Sequence, residues 1–170
     1  MSYIDKSLGD GETVIARAHF HWLYITAAWL WLLIPLALLG YAYSQATQTQ
    51  PDPLTIGAGV LFVIGLVLFL RMMMRKWSTE IGVTSHRFVE RYGLVGMRTN
   101  EIALPNIEGV RVNQSILGRI FGYGTIRIEG TGVDAVTTPN IADPVAFVRA
   151  IQTAKEHVAQ RFEQQRSAGV

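Results

Sequence analysis

Arg71, Arg75 and Lys76 place three cations within two helical turns, directly after a long apolar run. Basic residues at such a position attract anionic headgroups by about 1 kcal/mol each. These three, with Arg87 further along, are therefore the lipid-headgroup candidates of the chain. The plainer reading of the first three is a topology signal, which most such helix ends carry. His19-x-His21 sets two imidazoles on one side of an extended segment. Two ligands leave a metal shell unfilled and no Asp, Glu or His obviously joins them, so no metal site is expected. Glu101, Glu108, Glu129 and Asp134 are mixed with Arg98, Arg111 and Arg127, the pattern of cross-strand ion pairs on a solvated face. The sequence contains no cysteine, no Gly-x-Ser-x-Gly, no His-Glu-x-x-His and no phosphate loop. Neither an enzyme nor a cofactor is expected.

The elements that must position these residues begin with two apolar stretches. Trp22 to Tyr43 and Leu54 to Leu70 carry no charged side chain. A bilayer core about 30 Å thick needs about 20 helical residues at about 1.5 Å rise each. The first run spans it easily; the second does so if Arg71 snorkels and Met72–Met74 lie at the interface. The expected layout is an N-terminal segment 1–19, membrane helices 20–43 and 54–74 joined by a short external loop 44–53, a soluble domain 75–165, and a frayed tail 166–170. A buried helix pair in a soluble protein would leave too little chain to cover it. A signal peptide cut near Ser44-Gln45-Ala46 would have a shorter apolar run and a basic, not acidic, leader.

The connecting loop has no Lys or Arg, whereas Lys6, Arg17, Arg71, Arg75 and Lys76 flank the spans on the other side. That bias expects both termini and the soluble domain in the cytoplasm. Trp22, Tyr24, Tyr41, Tyr43 and Trp77 sit near the span ends as an interfacial belt; Trp29 and Trp31 lie deeper, as packing or lipid contacts. Gly40 on the first helix, and Gly57 and Gly59 on the second, offer small faces for helix packing. Neither span holds the charge that would mark a transport path.

From Trp77 the pattern alternates, which reads as a half-buried strand through Val83. Thr84-Ser85 turns into a strand over 86–92, followed by strands over 97–104, 107–113, 123–129 and 133–138. Such a succession expects an antiparallel sandwich or partial barrel. Residues 11–18 form a further short segment able to return to this sheet as a strand. Asp143-Pro144 is an N-cap with proline at the first helical position. Val145, Phe147, Val148, Ile151, Ala154, Val158 and Phe162 then recur every three or four residues, an amphipathic helix able to close the strand layer. Charges of mixed sign, with no basic run longer than two, exclude a nucleic-acid partner.

One further stretch stands out. Ile116, Leu117, Ile120 and Phe121 have helix-like spacing, so a short helical turn plugging the sheet is expected between Ser115 and Gly122. Gly118 would permit close approach, Arg119 would bond carbonyls or a carboxylate, and Gly122 and Gly124, around Tyr123, would release the chain into the next strand. No third glycine follows, so this is not a dinucleotide fingerprint.

Thr84-Ser85-His86-Arg87-Phe88, the stretch from Leu104-Pro105-Asn106 to Gln114-Ser115, and Leu117-Gly118-Arg119-Ile120-Phe121-Gly122-Tyr123-Gly124-Thr125-Ile126 together resemble bacterial PH-domain (pleckstrin-homology-like, YdbS-like) membrane proteins. The resemblance covers about residues 10 to 165. It implies an α+β chain: a two-helix transmembrane hairpin, then a PH-like antiparallel β-sandwich or partial barrel capped by the C-terminal amphipathic helix. It also implies a multi-pass protein of the bacterial inner membrane. The function expected is a non-enzymatic protein-binding or assembly module at the membrane surface. Alternatives are recognition of anionic lipid headgroups, or service as an accessory subunit of a membrane enzyme or transporter. Partners expected are membrane lipids and either a second copy of the chain or another membrane protein.

Overall fold

The computed structural model describes residues 3–45, 52–93 and 96–169. In chain order they form α1 (Tyr3–Lys6), β1 (Val14–Ala18), α2 (Trp22–Gln45), α3 (Pro53–Ser78), β2 (Glu80–Thr84), β3 (Arg87–Tyr92), β4 (Arg98–Ala103), a 3-10 turn (Leu104–Asn106), β5 (Ile107–Asn113), α4 (Ile116–Phe121), β6 (Tyr123–Gly130), β7 (Val133–Thr137), β8 (Ile141–Ala142) and α5 (Pro144–Ala168). The fold is α+β: two apolar helices, antiparallel sheets and a C-terminal helix. Two compact units result. One is Trp22–Trp77; the other joins Met1–His21 to Ser78–Val170. The hairpin is thus inserted into the second unit between β1 and β2.

In the first unit, α2 and α3 are long and apolar enough to cross a bilayer, and only 6% and 11% of their most apolar windows are buried. A soluble core helix would bury most of that surface. The packed seam consists of Ala28 and Ala42 on α2 and Ala58, Gly65 and Met73 on α3. Gly65 is the close approach: a Cβ there would run into the Trp31 carbonyl oxygen and stand 3.0 Å from Pro35 Cγ. The Tyr24 hydroxyl donates to the Met72 carbonyl at 3.3 Å, and the Trp29 and Phe69 rings lie 5.1 Å apart. Gly40, Gly57 and Gly59, expected as the packing glycines, have open space where a Cβ would go. At 3.6 residues per turn, neighbours of Ala58 point about 100° away from it, so a stripe through Ala58, Gly65 and Met73 turns Gly57 and Gly59 off the seam.

The helices run 22–45 and 53–78 rather than 20–43 and 54–74. Trp77 and Ser78, read as the start of a strand, close α3 instead: Arg75 and Lys76 are helix formers with their charge at the favourable end of the dipole. The expected loop 44–53 falls mainly on residues outside the described set, as do two of the residues between β3 and β4, where the sequence expects a turn over 93–96.

In the second unit, one sheet has the order β1-β2-β3-β4 and the other β5-β6-β7, with β8 added to the far end of β6; all pairings are antiparallel. Residues before the hairpin do join the sheet: Ala18 stands opposite Ile81 and Arg17 opposite Gly82. Phe88, Ile102, Leu104, Ile126 and Ile128 fill the space between the sheets, and α5 seals it with Phe147, Val148, Ile151 and Ala154. Burying each such aliphatic or aromatic side chain stabilises by about 1.5–3 kcal/mol. Asp143 caps α5 as expected, its Oδ1 accepting from the Ala146 N–H at 3.1 Å with φ at 45°.

Three features differ from expectation here. Val145 and Phe162, at the ends of the apolar stripe of α5, are 49% and 61% exposed. The tail expected to fray from 166 stays helical through Ala168. Finally, α1 covers the outer face of the first sheet. Ile4 is buried there, Glu80 accepts the Tyr3 and Ile4 N–H groups at 2.8 and 3.3 Å, and the Arg91 guanidinium lies 3.9 Å over the Tyr3 ring.

Candidate functional site

The β2–β3 hairpin is clamped to the segment that precedes α2. The Glu12 carboxylate accepts from the Gly9 N–H at 2.8 Å, the Thr84 hydroxyl at 2.5 Å, and Arg87 Nε and Nη2 at 3.0 Å each. Arg87 also donates to Glu101 at 2.7 Å and to the Ser7 carbonyl at 2.5 Å. Burial pushes the Glu12 carboxyl upward, but those hydrogen bonds and the Arg87 charge outweigh it and hold the group below its ordinary value. Arg87, expected among the lipid-headgroup candidates, spends its donors on the protein's own carboxylates and a carbonyl. It acts as a strut, and a phosphate would have to displace two carboxylates to reach it. Nothing in the sequence period around Arg87 points to Glu12, because the hairpin separates them.

Arg71, Arg75 and Lys76 lie together on the last turns of α3; Arg71 and Arg75 are exposed and Lys76 half-buried. His19 is exposed while His21 is buried with its ring 5.3 Å from Tyr123, so the two imidazoles do not form one ligand pair. Among the described residues no three His, Cys, Asp or Glu side chains gather as a metal shell. Arg111 pairs across strands with Glu129 at 3.6 Å, whereas Glu108 takes the Thr131 hydroxyl at 2.8 Å.

The glycine-rich stretch is a compact cap on the β5–β6 connection. Ser115 Oγ accepts from the Gly118 N–H at 3.0 Å, and Gly122, at φ 75°, ends α4 in the left-handed region. A Cβ on Gly118 would stand 2.6 Å from the Tyr123 carbonyl oxygen, and one on Gly124 would stand 2.7 Å from that of Asn113. Gln114 Nε2 donates to the Tyr123 carbonyl at 3.1 Å, tying the two strands' ends. The helical turn is present, but it does not plug the sheet: Ile116, Leu117 and Ile120 point to solvent. Gly118 and Gly124 face the protein and the large side chains face away. Arg119 is exposed, with no side-chain bond among the described residues.

At one margin of the sandwich, the two sheets leave a cleft of about 560 Å³ lined by Tyr92, Thr99–Ile102, Gly132 and Asp134–Val136. Its two walls are β4 and β7, each paired on one side only among the described residues, to β3 and β6 respectively. Glu101 and Asp134 line it, and no Lys or Arg does. Behind Asn100, whose Nδ2 donates at 3.2 Å, Glu90 is buried. Two free strand edges flanking a polar cleft can take an extended segment by backbone pairing.

A family model described as a bacterial PH domain matches residues 13–161. The chain belongs to the bacterial PH-domain family. The match runs from just before β1 through most of α5, so it takes in the hairpin as well as both sheets. Comparison with curated proteins and with solved structures gives no match. Membership of the PH-domain family suggests a module for binding protein or lipid, and two helices able to span a membrane accompany it here.

Proposed function

We propose that this PH-domain protein is a non-enzymatic, multi-pass protein of the bacterial inner membrane that presents a binding module to the cytoplasm. In this reading α2 and α3 span the bilayer, both termini lie inside, and Arg71, Arg75 and Lys76 hold the hairpin at the anionic leaflet. The domain docks an extended segment of a membrane-protein partner, or of a second copy, in the cleft between β4 and β7. The observation that carries this is the pair of unpaired strand edges flanking one cleft. Asp134, whose carboxylate lines the cleft while that of Glu101 is paired with Arg87, favours a segment with a basic residue. Tethering raises the local concentration of such a site, so a weak surface suffices.

The test is photo-crosslinking in cells from a residue placed at Ala135, with exposed Gln160 on α5 as the control. One recurrent adduct from Ala135 alone supports cleft docking; equal or absent adducts from both positions reject it. Native mass spectrometry of the gently extracted protein addresses the lipid reading. A monomer holding anionic lipid that is lost when Arg71, Arg75 and Lys76 are neutralised would put headgroup recognition in first place.

A further inference from the structure

α4 turns its glycine toward the domain and its large apolar side chains away from it. Ile116, Leu117, Ile120 and Phe121 are 80%, 58%, 70% and 45% exposed. At 3.6 residues per turn, positions i, i+1, i+4 and i+5 fall within an arc of about 140°, so the four make a single apolar patch. Soluble surfaces rarely leave such a patch uncovered.

What covers it follows from where α4 lies within its own unit. The carbonyl of its C-cap, Gly122, accepts the Asp143 N–H at 2.9 Å, and Ala142, one residue earlier, donates to the His19 carbonyl at 2.8 Å. Tyr123, the next residue after the cap, holds its ring 5.3 Å from that of His21. His21 is the last residue of this unit before the chain leaves it for the apolar helices, and Trp22 opens α2. Consecutive Cα atoms are about 3.8 Å apart. The C-terminal end of α4 therefore stands beside the point where the chain passes into its first apolar helix. The segment from Asn113 to Ile126 carries no acidic residue, and its one charge is Arg119. An apolar face with a single cation and no carboxylate matches a phospholipid surface.

We infer that α4 is an interfacial anchor. Ile116, Leu117, Ile120 and Phe121 enter the boundary between headgroups and acyl chains of the bilayer that α2 crosses, with Arg119 at the phosphates. The inference rests on the membrane-spanning reading of the hairpin. It assigns the bilayer a second contact, made by the domain itself, and so fixes which face of the domain meets the lipid.

The chain has no cysteine, so single-cysteine variants of the full-length protein can carry a nitroxide at one place only. Labels at Ile120→Cys and Leu117→Cys are compared with Gln160→Cys on α5 and Leu33→Cys on α2, in phospholipid vesicles. Collisions with oxygen report lipid, and collisions with a water-soluble nickel chelate report solvent. Chelate access at Ile120 and Leu117 is expected to be lower than at Gln160 by about ten-fold or more, the population ratio that burial of one aliphatic side chain supports. Oxygen access should be retained. Chelate reaching Ile120 and Leu117 as freely as Gln160, with Leu33 shielded, overturns the anchor and leaves the hairpin intact. Chelate reaching Leu33 as well removes the membrane-spanning reading and the anchor with it. Shielding from both reagents, with spin–spin broadening at Ile120, means that a second copy covers the patch and also overturns the anchor.

Discussion

Replacing Glu12 by glutamine should loosen the first sheet by an amount that depends on pH. The Glu12 side chain is only 6% exposed and receives hydrogen bonds from Gly9, Thr84 and two nitrogens of Arg87. A hydrogen bond to a charged group contributes about 1.5–3 kcal/mol. Glutamine keeps one accepting oxygen and sets an NH2 against the guanidinium, while Arg87 retains Glu101 and the Ser7 carbonyl. The net loss should therefore be about 2 kcal/mol, or roughly 30-fold in the opening equilibrium. Amide hydrogen exchange of the full-length protein in detergent reads it directly, at the ladder between β1 and β2.

The sign with pH follows from the lowered Glu12 carboxyl, whose ordinary value is 4.5. A group depressed in the folded state stabilises fully above its unfolded value, and loses that contribution as pH falls through the folded one. The difference between wild type and Glu12→Gln should thus be constant around neutrality and vanish in acid. Unchanged protection at neutral pH, or a loss of the same size well below the folded-state value, would refute the clamp.

Other variants separate the remaining contacts. Gly65→Leu should lower the thermal stability of the hairpin, read by indole fluorescence because every tryptophan lies within residues 22–77, whereas Gly57→Leu should not. Gly118→Ala should dislodge α4 and strip amide protection from residues 116–121, since the new methyl meets a backbone carbonyl; Gly122→Asn, at a left-handed position with open space, should cost far less. Ile151→Ala, fully buried beneath α5, should lower the global opening free energy of the domain by about 2–5 kcal/mol by amide exchange.

The hairpin and most of the strands were legible in the sequence because each has a length or period imposed from outside. A charge-free run long enough to cross a bilayer stands out by its length, and the strand Ile107–Asn113 has the expected bounds, although a register shift between Ile107 and Gly109 interrupts its alternation. What sequence could not supply was register and cover. Gly57, Gly59 and Gly65 are all small residues in one apolar helix, and only the azimuth of α3 against Trp31 selects Gly65. The apolar spacing of α4 is real, but spacing says that a face is apolar and not what the face meets. Arg87 looked like a free cation because its partner Glu12 lies on the far side of the hairpin, beyond any local period. The cleft between β4 and β7 left no signal for the same reason, being built from two strands that never pair.

The splitting of the first sheet by the hairpin has a consequence for biosynthesis. β1 emerges from the ribosome long before β2, and the two cannot meet until all of α2 and α3 has been made. At equilibrium the delay costs little, since each doubling of a loop adds only about 0.6 kcal/mol of closure entropy. In time it imposes an order: β1 and its Glu12 latch close only after both helices are in place. If α2 entered a bilayer without α3, β1 and β2 would stand on opposite sides of it, and the sheet could not be completed. Closure of this edge would then double as an inspection step, leaving chains with a half-inserted hairpin unfolded and open to proteolysis.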